Sequence, residues 1–192
     1  MLILALDTAT TTATTALVRD GDVLAEAAVP PRELYAAIDG LLDDPKRLEG
    51  IVVGVGPGSF TGIRMGIAAA RGLALGLDVP LAGISTLAAL AAGAPGAIPV
   101  VDARRREVFA LLEGELRCLP PTELPPATLV GDGALRYRPQ LEAAGAAIPP
   151  DDDPRHLPRA RFHAALARDF GPPDAVEPIY VRVPDAEKAL AR

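Results

Sequence analysis

GVGPGSFTGIRMG, residues Gly54–Gly66, sets five glycines between an apolar run, Ile51–Val55, and a stretch with helical periodicity. The run reads as a buried strand and the glycines as a tight turn. A helix from Thr61 to Leu77 follows, with Ser59 or Thr61 as its N-cap and Pro80 marking its end. Strand, glycine turn and helix in succession predict an α/β fold. The glycines do not complete a known ligand motif. A Walker loop needs Lys-Ser or Lys-Thr after its last glycine, to neutralise phosphate and bind magnesium, but Ile63 and Arg64 follow Gly62. In the dinucleotide fingerprint the last spacing of Gly56, Gly58 and Gly62 is one residue too long, and Asp78 stands before the next strand instead of at its end. A nucleophile elbow around Ser59 would want glycine where Pro57 and Thr61 stand.

Upstream, Leu2–Leu6 is a continuous apolar strand ended by Asp7. Ala13–Val18 and Val23–Ala28 read as two more strands joined by a turn at Asp20-Gly21. A short helix from about Arg32 to Leu42 puts Leu34, Ile38 and Leu41 on one face, with Tyr35 and Leu42 beside it. Downstream come a strand at Leu81–Ile84, a helix capped by Ser85 or Thr86 and a strand at Ile98–Asp102. Past Ala97 proline and arginine increase. That part contains a hairpin at Glu107–Leu119, a strand into Val130–Ala134, a helix around Arg161–Phe170 and a late strand in EPIYVRVP, Glu177–Pro184. The expected organisation is a first lobe over 1–96 and a smaller one over 97–192.

A hydrophobic content of 49% with 23% charged residues is that of a folded globular chain rather than a disordered one. The net charge of −6 opposes general attraction to nucleic acid or anionic membrane, although Arg104, Arg105 and Arg106 can act locally. Cys118 is the sole cysteine, so no internal disulfide forms; a reduced thiol in a cytoplasmic protein is expected. The apolar start lacks a basic leader and reads as a strand, not a signal peptide. Val79–Val101 carries no charge, but its prolines and glycines divide it into short elements, which argues against a membrane span. His156 and His163 have no third ligand at a metal-site spacing and read as solvated surface residues.

The helix from Thr61 to Leu77 has only Arg64 and Arg71 as charges, seven apart on one stripe. Ile63, Ile67, Ala70 and Ala74 form a face, and Gly62, Gly66, Ala69, Gly72 and Gly76 form a groove of minimal side chains. A helix apolar nearly all round is covered on more than one side. Either a partner subunit's helix or the short helix of the same chain fits that groove.

The stretches ILALDTATTTATTALVRDG, GVGPGSFTGIRMGIAAARGLALGLDVPLAGISTL, VVDARRREVF and PIYVR together resemble the bacterial TsaB family, also called YeaZ, over nearly the whole chain. The segment before Ile51 and the second lobe are shorter than is usual there. The resemblance implies an α/β fold that is actin-like, Hsp70-like and sugar-kinase-like (ASKHA, ribonuclease H-like), with two related lobes. It implies an accessory subunit of tRNA threonylcarbamoyladenosine biosynthesis that is not itself an enzyme and needs no cofactor or metal. The chain lacks the His-x-x-x-His metal pair of the catalytic homologue TsaD. The implied partners are TsaD, the ATPase subunit TsaE and, when alone, a second copy as a homodimer, with tRNA met only through the complex and no membrane contact. The implied partner interface carries Leu34, Tyr35, Ile38 and Leu41 on the first helix and Gly62, Met65, Gly66, Ala69 and Gly72 on the second. Asp7, Thr8, Asp102, Gly131 and Gly133 fall where the superfamily surrounds ATP, as a vestigial or possible nucleotide site. An alternative function is an autonomous ATP-dependent phosphotransferase using Asp7 and Asp102. A peptidase reading finds no metal or nucleophile constellation.

Overall fold

The computed structural model describes residues 1–181. The first sheet contains β1 (Leu2–Asp7), β2 (Ala13–Arg19), β3 (Asp22–Val29), β4 (Gly50–Gly54) and β5 (Leu81–Ile84), in the order β3-β2-β1-β4-β5. β1 runs antiparallel to β2 and parallel to β4. The second sheet contains β6 (Ile98–Arg104), β7 (Glu107–Leu112), β8 (Glu115–Leu119) and β9 (Leu129–Val130), in the order β8-β7-β6-β9. β6 is antiparallel to β7 and parallel to β9, so the second sheet repeats the first without its fifth strand. The helices are α1 (Leu34–Leu41), α2 (Phe60–Leu77), α3 (Thr86–Gly93), α4 (Asp132–Arg136), α5 (Arg138–Ala143) and α6 (Ala160–Leu166).

Alternation along β1 sends Leu4 and Leu6 to one face and Ala5 to the other. On the Leu face, Leu34 and Ile38 of α1 and Ile63, Ile67, Ala70 and Ala74 of α2 build the larger core. The opposite face is made of Ala5, Ala16 and Ala82 with Val18 and Val52, and α6 sets Ala160 and Ala164 against it. Small residues on both sides let that helix approach the sheet closely. The chain therefore returns to the first sheet after building the second.

Several boundaries differ from expectation for local reasons. A 3₁₀ turn, Pro31–Glu33, precedes α1, and Leu42 is already extended. Ser59 accepts a hydrogen bond from the Gly62 N–H at 3.3 Å and starts α2 at Phe60. Ser85 caps α3. The helix expected over 161–170 is Ala160–Leu166, because Ala167 is extended. No strand forms over 177–181; residues 182–184 of that expected strand lie outside the described residues. The segment is instead a strap across the first lobe, tied by the Ile179 N–H to the Val55 carbonyl at 2.8 Å. Val79–Val101 divides into β5, α3 and β6, and no helix among the described residues is long and apolar enough to cross a membrane.

α2 presents four stripes to four environments. Its Ile63 stripe meets the sheet. Arg64 and Arg71 hold the strap: Arg71 Nη2 donates to the carbonyls of Asp174 (3.2 Å) and Val176 (2.6 Å), and Arg64 Nε donates to Tyr180 Oη (2.9 Å) while stacking on Phe60. Gly62 and Gly66 meet residue Thr8 of the same chain. A Cβ on Gly66 would lie 2.3 Å from Thr8 Oγ1, and one on Gly62 would lie 2.1 Å from the Thr8 carbonyl oxygen. Gly72 and Gly76 have no neighbour within 4 Å of an added Cβ.

These two glycine environments predict opposite signs. Gly66→Ala overpacks the Thr8 contact and should lower unfolding free energy by about 1–3 kcal/mol. Gly72→Ala removes backbone freedom at no steric cost and should raise it by about 0.5–1 kcal/mol. Urea unfolding of both variants measures the contrast.

Candidate functional site

Asp7 ends β1 with no exposed surface, as do His163 on α6 and Thr86 on α3. The Asp7 Oδ1 atom accepts the Ala9 N–H at 2.6 Å, and Oδ2 accepts the Thr86 hydroxyl at 2.7 Å. His163 Nε2 lies 2.8 Å from Oδ2, a close polar contact without hydrogen-bond alignment. Gly54, at the end of the neighbouring β4, leaves the room: a Cβ there would stand 2.0 Å from Oδ2. One carboxylate thus joins β1, β4, α3 and α6.

The glycine turn closes directly on residues 8 and 9. Ser59 N–H donates to the Ala9 carbonyl at 2.7 Å, and Thr8 Oγ1 donates to the Gly62 carbonyl at 2.6 Å. A Cβ on Gly58 would lie 2.3 Å from the Ala9 oxygen. The Gly56-Pro57 bond is cis, and Gly56 has φ +93°. These glycines serve approach of one backbone to another.

In the second lobe Gly131 and Gly133 press on β6. Added Cβ atoms would lie 2.2 Å from the Val100 oxygen and 2.9 Å from the Val101 carbonyl carbon. The Gly131 N–H, which a phosphate cradle would present outward, donates to His156 Nδ1 at 3.1 Å, and His156 Nε2 stands 3.1 Å from the Pro149 carbonyl. Both histidines are therefore buried, correcting the expectation of solvated residues: the His156 ring fills a gap between two backbone segments, and the His163 ring stands against the buried Asp7 carboxylate. Asp102 accepts from the Arg104 N–H (2.9 Å) and the Tyr137 hydroxyl (3.3 Å), and its Oδ2 lies near Arg104 and Arg136. Asp132, between Gly131 and Gly133, accepts the Asp102 N–H at 3.0 Å. Burial pushes its carboxyl up to about 6, with the Asp102 charge adding to the rise, while the N–H groups of Asp102 and Thr11 oppose it. Thr11 lies between β1 and β2, so this acid stands where the turn after β1 meets the second sheet.

Residues expected around a nucleotide turn inward in this chain. Both Asp7 oxygens, Thr8 Oγ1 and the Gly131 N–H are engaged within the chain. The residues expected at a partner interface divide in two. Leu34, Ile38, Gly66 and Ala69 are buried by the chain's own core, which removes them as free contacts: Leu34 and Ile38 face the sheet, and Gly66 meets Thr8. Leu41, Gly62 and Met65 are half-buried; Tyr35 and Gly72 are exposed. On α2, Met65, Ala68, Gly72, Leu75 and Gly76 recur at helical spacing on the side away from Ile63 and form an uncharged open ridge. Leu75 is 72% exposed, the largest value among the exposed large hydrophobic residues described. Leu75 was missed in sequence because it falls outside the all-small pattern of the groove.

Asp132 sets a pH dependence. An acid raised above its unfolded value retains its proton longer when folded, so its stabilising contribution falls as pH rises from about 4 to about 6. Urea unfolding across that window should show this decline in the native chain, and Asp132→Asn should flatten it.

A family model described as TsaD, tRNA N6-adenosine threonylcarbamoyltransferase, matches residues 33–124. The Escherichia coli K12 protein named tRNA threonylcarbamoyladenosine biosynthesis protein TsaB is 43% identical over 123 residues, covering 57% of this chain and 53% of that one. The chain thus spans about half the length of that curated relative. An uncharacterized protein of Mycobacterium bovis is 34% identical over 199 residues, covering 96% of this chain and 93% of its own. The solved structure of YeaZ from Pseudomonas aeruginosa superposes with a TM-score of 0.74 at 26% identity, covering 94% of this chain and 99% of that one. The paired sheets are the actin-like arrangement, and with the whole-length match to YeaZ and the close sequence match to TsaB, the chain belongs to the TsaB (YeaZ) family.

Proposed function

We propose that this chain is a non-catalytic scaffold subunit required for threonylcarbamoylation of the adenosine 3′ of the anticodon in tRNAs reading codons that begin with A. It acts in the cytoplasm by docking onto the catalytic homologue TsaD, in an assembly that also uses the ATPase subunit TsaE, and pairs with itself when alone. The observation that carries this reading is the open ridge of α2, Met65–Ala68–Gly72–Leu75–Gly76; Tyr35 on α1 is exposed as well. Both helices lie on the same face of the first sheet. A contiguous apolar face without charge suits a second helix of similar shape, because small residues allow close backbone approach and Leu75 supplies a protruding anchor. The inward engagement of both Asp7 oxygens weighs against the phosphotransferase alternative, which needs that carboxylate for a metal.

Leu75→Glu and Gly72→Gln alter the ridge at exposed positions and should leave the circular dichroism spectrum unchanged. Each should abolish co-elution with the catalytic homologue and tRNA modification in a reconstituted reaction. Unaltered co-elution and modification would overturn the docking claim. Turnover of magnesium-ATP by the purified chain, lost in Asp7→Ala, would favour the phosphotransferase.

A further inference from the structure

The β6–β7 hairpin turns through three consecutive arginines in the left-handed region: Arg104, Arg105 and Arg106 have φ of 61°, 54° and 62°. The register passes from Asp102↔Val108 to Arg104↔Glu107, so Arg105 and Arg106 are the two central residues of the turn and Arg104 sits at an irregularity in the ladder. Left-handed backbone costs an L residue about 1–2 kcal/mol. Two-residue turns with positive φ at both positions favour Asn-Gly for that reason. All three arginines are exposed, so apolar burial of their side chains does not offset the cost. Strain kept beneath exposed cationic side chains points to a task outside the fold.

Asp102 organises this end of the molecule. Its Oδ1 fixes the Arg104 N–H, and its Oδ2 lies 3.3 Å from Arg104 Nη1 and 3.5 Å from Arg136 Nε. A fourth exposed guanidinium is thereby drawn beside the turn. The chain as a whole carries −6, so this cluster stands out against its own background and would orient an approaching polyanion. Guanidinium groups pair with phosphate through parallel N–H donors, and a turn that projects several of them suits a repeating phosphate chain better than a single anion.

We propose that the Arg104–Arg106 turn, with Arg136 beside it, is a docking site for the sugar–phosphate backbone of RNA. The identity of that RNA as tRNA rests on the function proposed above; the site itself does not. Contact with phosphates alone carries no sequence information, so the turn positions RNA while base recognition lies elsewhere.

The test uses Arg105→Asn/Arg106→Gly, which installs the preferred turn residues, and Arg136→Ala, which leaves the turn untouched. The probe is an unmodified tRNA transcript, measured by fluorescence anisotropy across a salt series with the chain alone and with the reconstituted complex. The double variant should melt at the same or a higher temperature yet bind about tenfold more weakly, with a salt slope reduced by about 2; Arg136→Ala should reduce it by about 1. Co-elution with the catalytic homologue should persist. Unchanged affinity and slope in both variants, or no RNA binding by the native chain in either setting, would overturn the proposal. Loss of co-elution with unchanged RNA affinity would assign the turn to a protein contact and overturn it equally. A native chain that fails to co-elute, but whose own RNA affinity falls in the variants, would keep the RNA site and remove the subunit reading.

Discussion

The buried carboxylate of Asp7 is the constraint on which the rest of the first lobe depends. A charged or polar group with no access to water must be met on every side by the protein. Asp7 is met by Ala9, Thr86 and His163, and Gly54 makes room for it. Those partners come from four separate stretches of chain, so satisfying this one side chain fixes the placement of α3 and α6 relative to the sheet. Its observed contacts are architectural: both carboxylate oxygens face inward, to the Ala9 N–H and the Thr86 hydroxyl.

Much of the first sheet was legible in the sequence because strand patterning is local. The runs Leu2–Leu6 and Ile51–Val55 and the turn at Asp20-Gly21 gave strands in their observed places. The glycine turn was legible as a turn but not by its neighbour: a small residue announces that something approaches, and only the tertiary structure shows that Thr8 and Ala9 do. The histidines were misread for a related reason. His163 lies 156 positions from Asp7, and a histidine on a short helix such as α6 looks the same in sequence whether it faces water or a buried acid. A signal existed in Asp7 itself, since an acid closing a strand buried on both faces requires a distant partner.

The charges on α2 show how one helix is apportioned. Arg64 and Arg71 break an otherwise uncharged surface, and their stripe is where the chain from Asp174 to Tyr180 crosses. Guanidinium donors can satisfy carbonyls that have no strand beside them, which is why this segment stays fixed without joining the sheet. The arginines also separate the strap from the open ridge, leaving the outward side of the helix small and uncharged.

The return of the chain to its first sheet has a consequence for biosynthesis. The alanine face of Ala5, Ala16 and Ala82 is completed only by Ala160 and Ala164, and Asp7 finds His163 on the same helix. A ribosome that has delivered the whole first sheet has therefore delivered an unfinished one, with an apolar face and a buried acid both awaiting residues not yet translated. Completion of the amino-terminal sheet thus waits for α6, although every strand of that sheet precedes the second sheet in the chain.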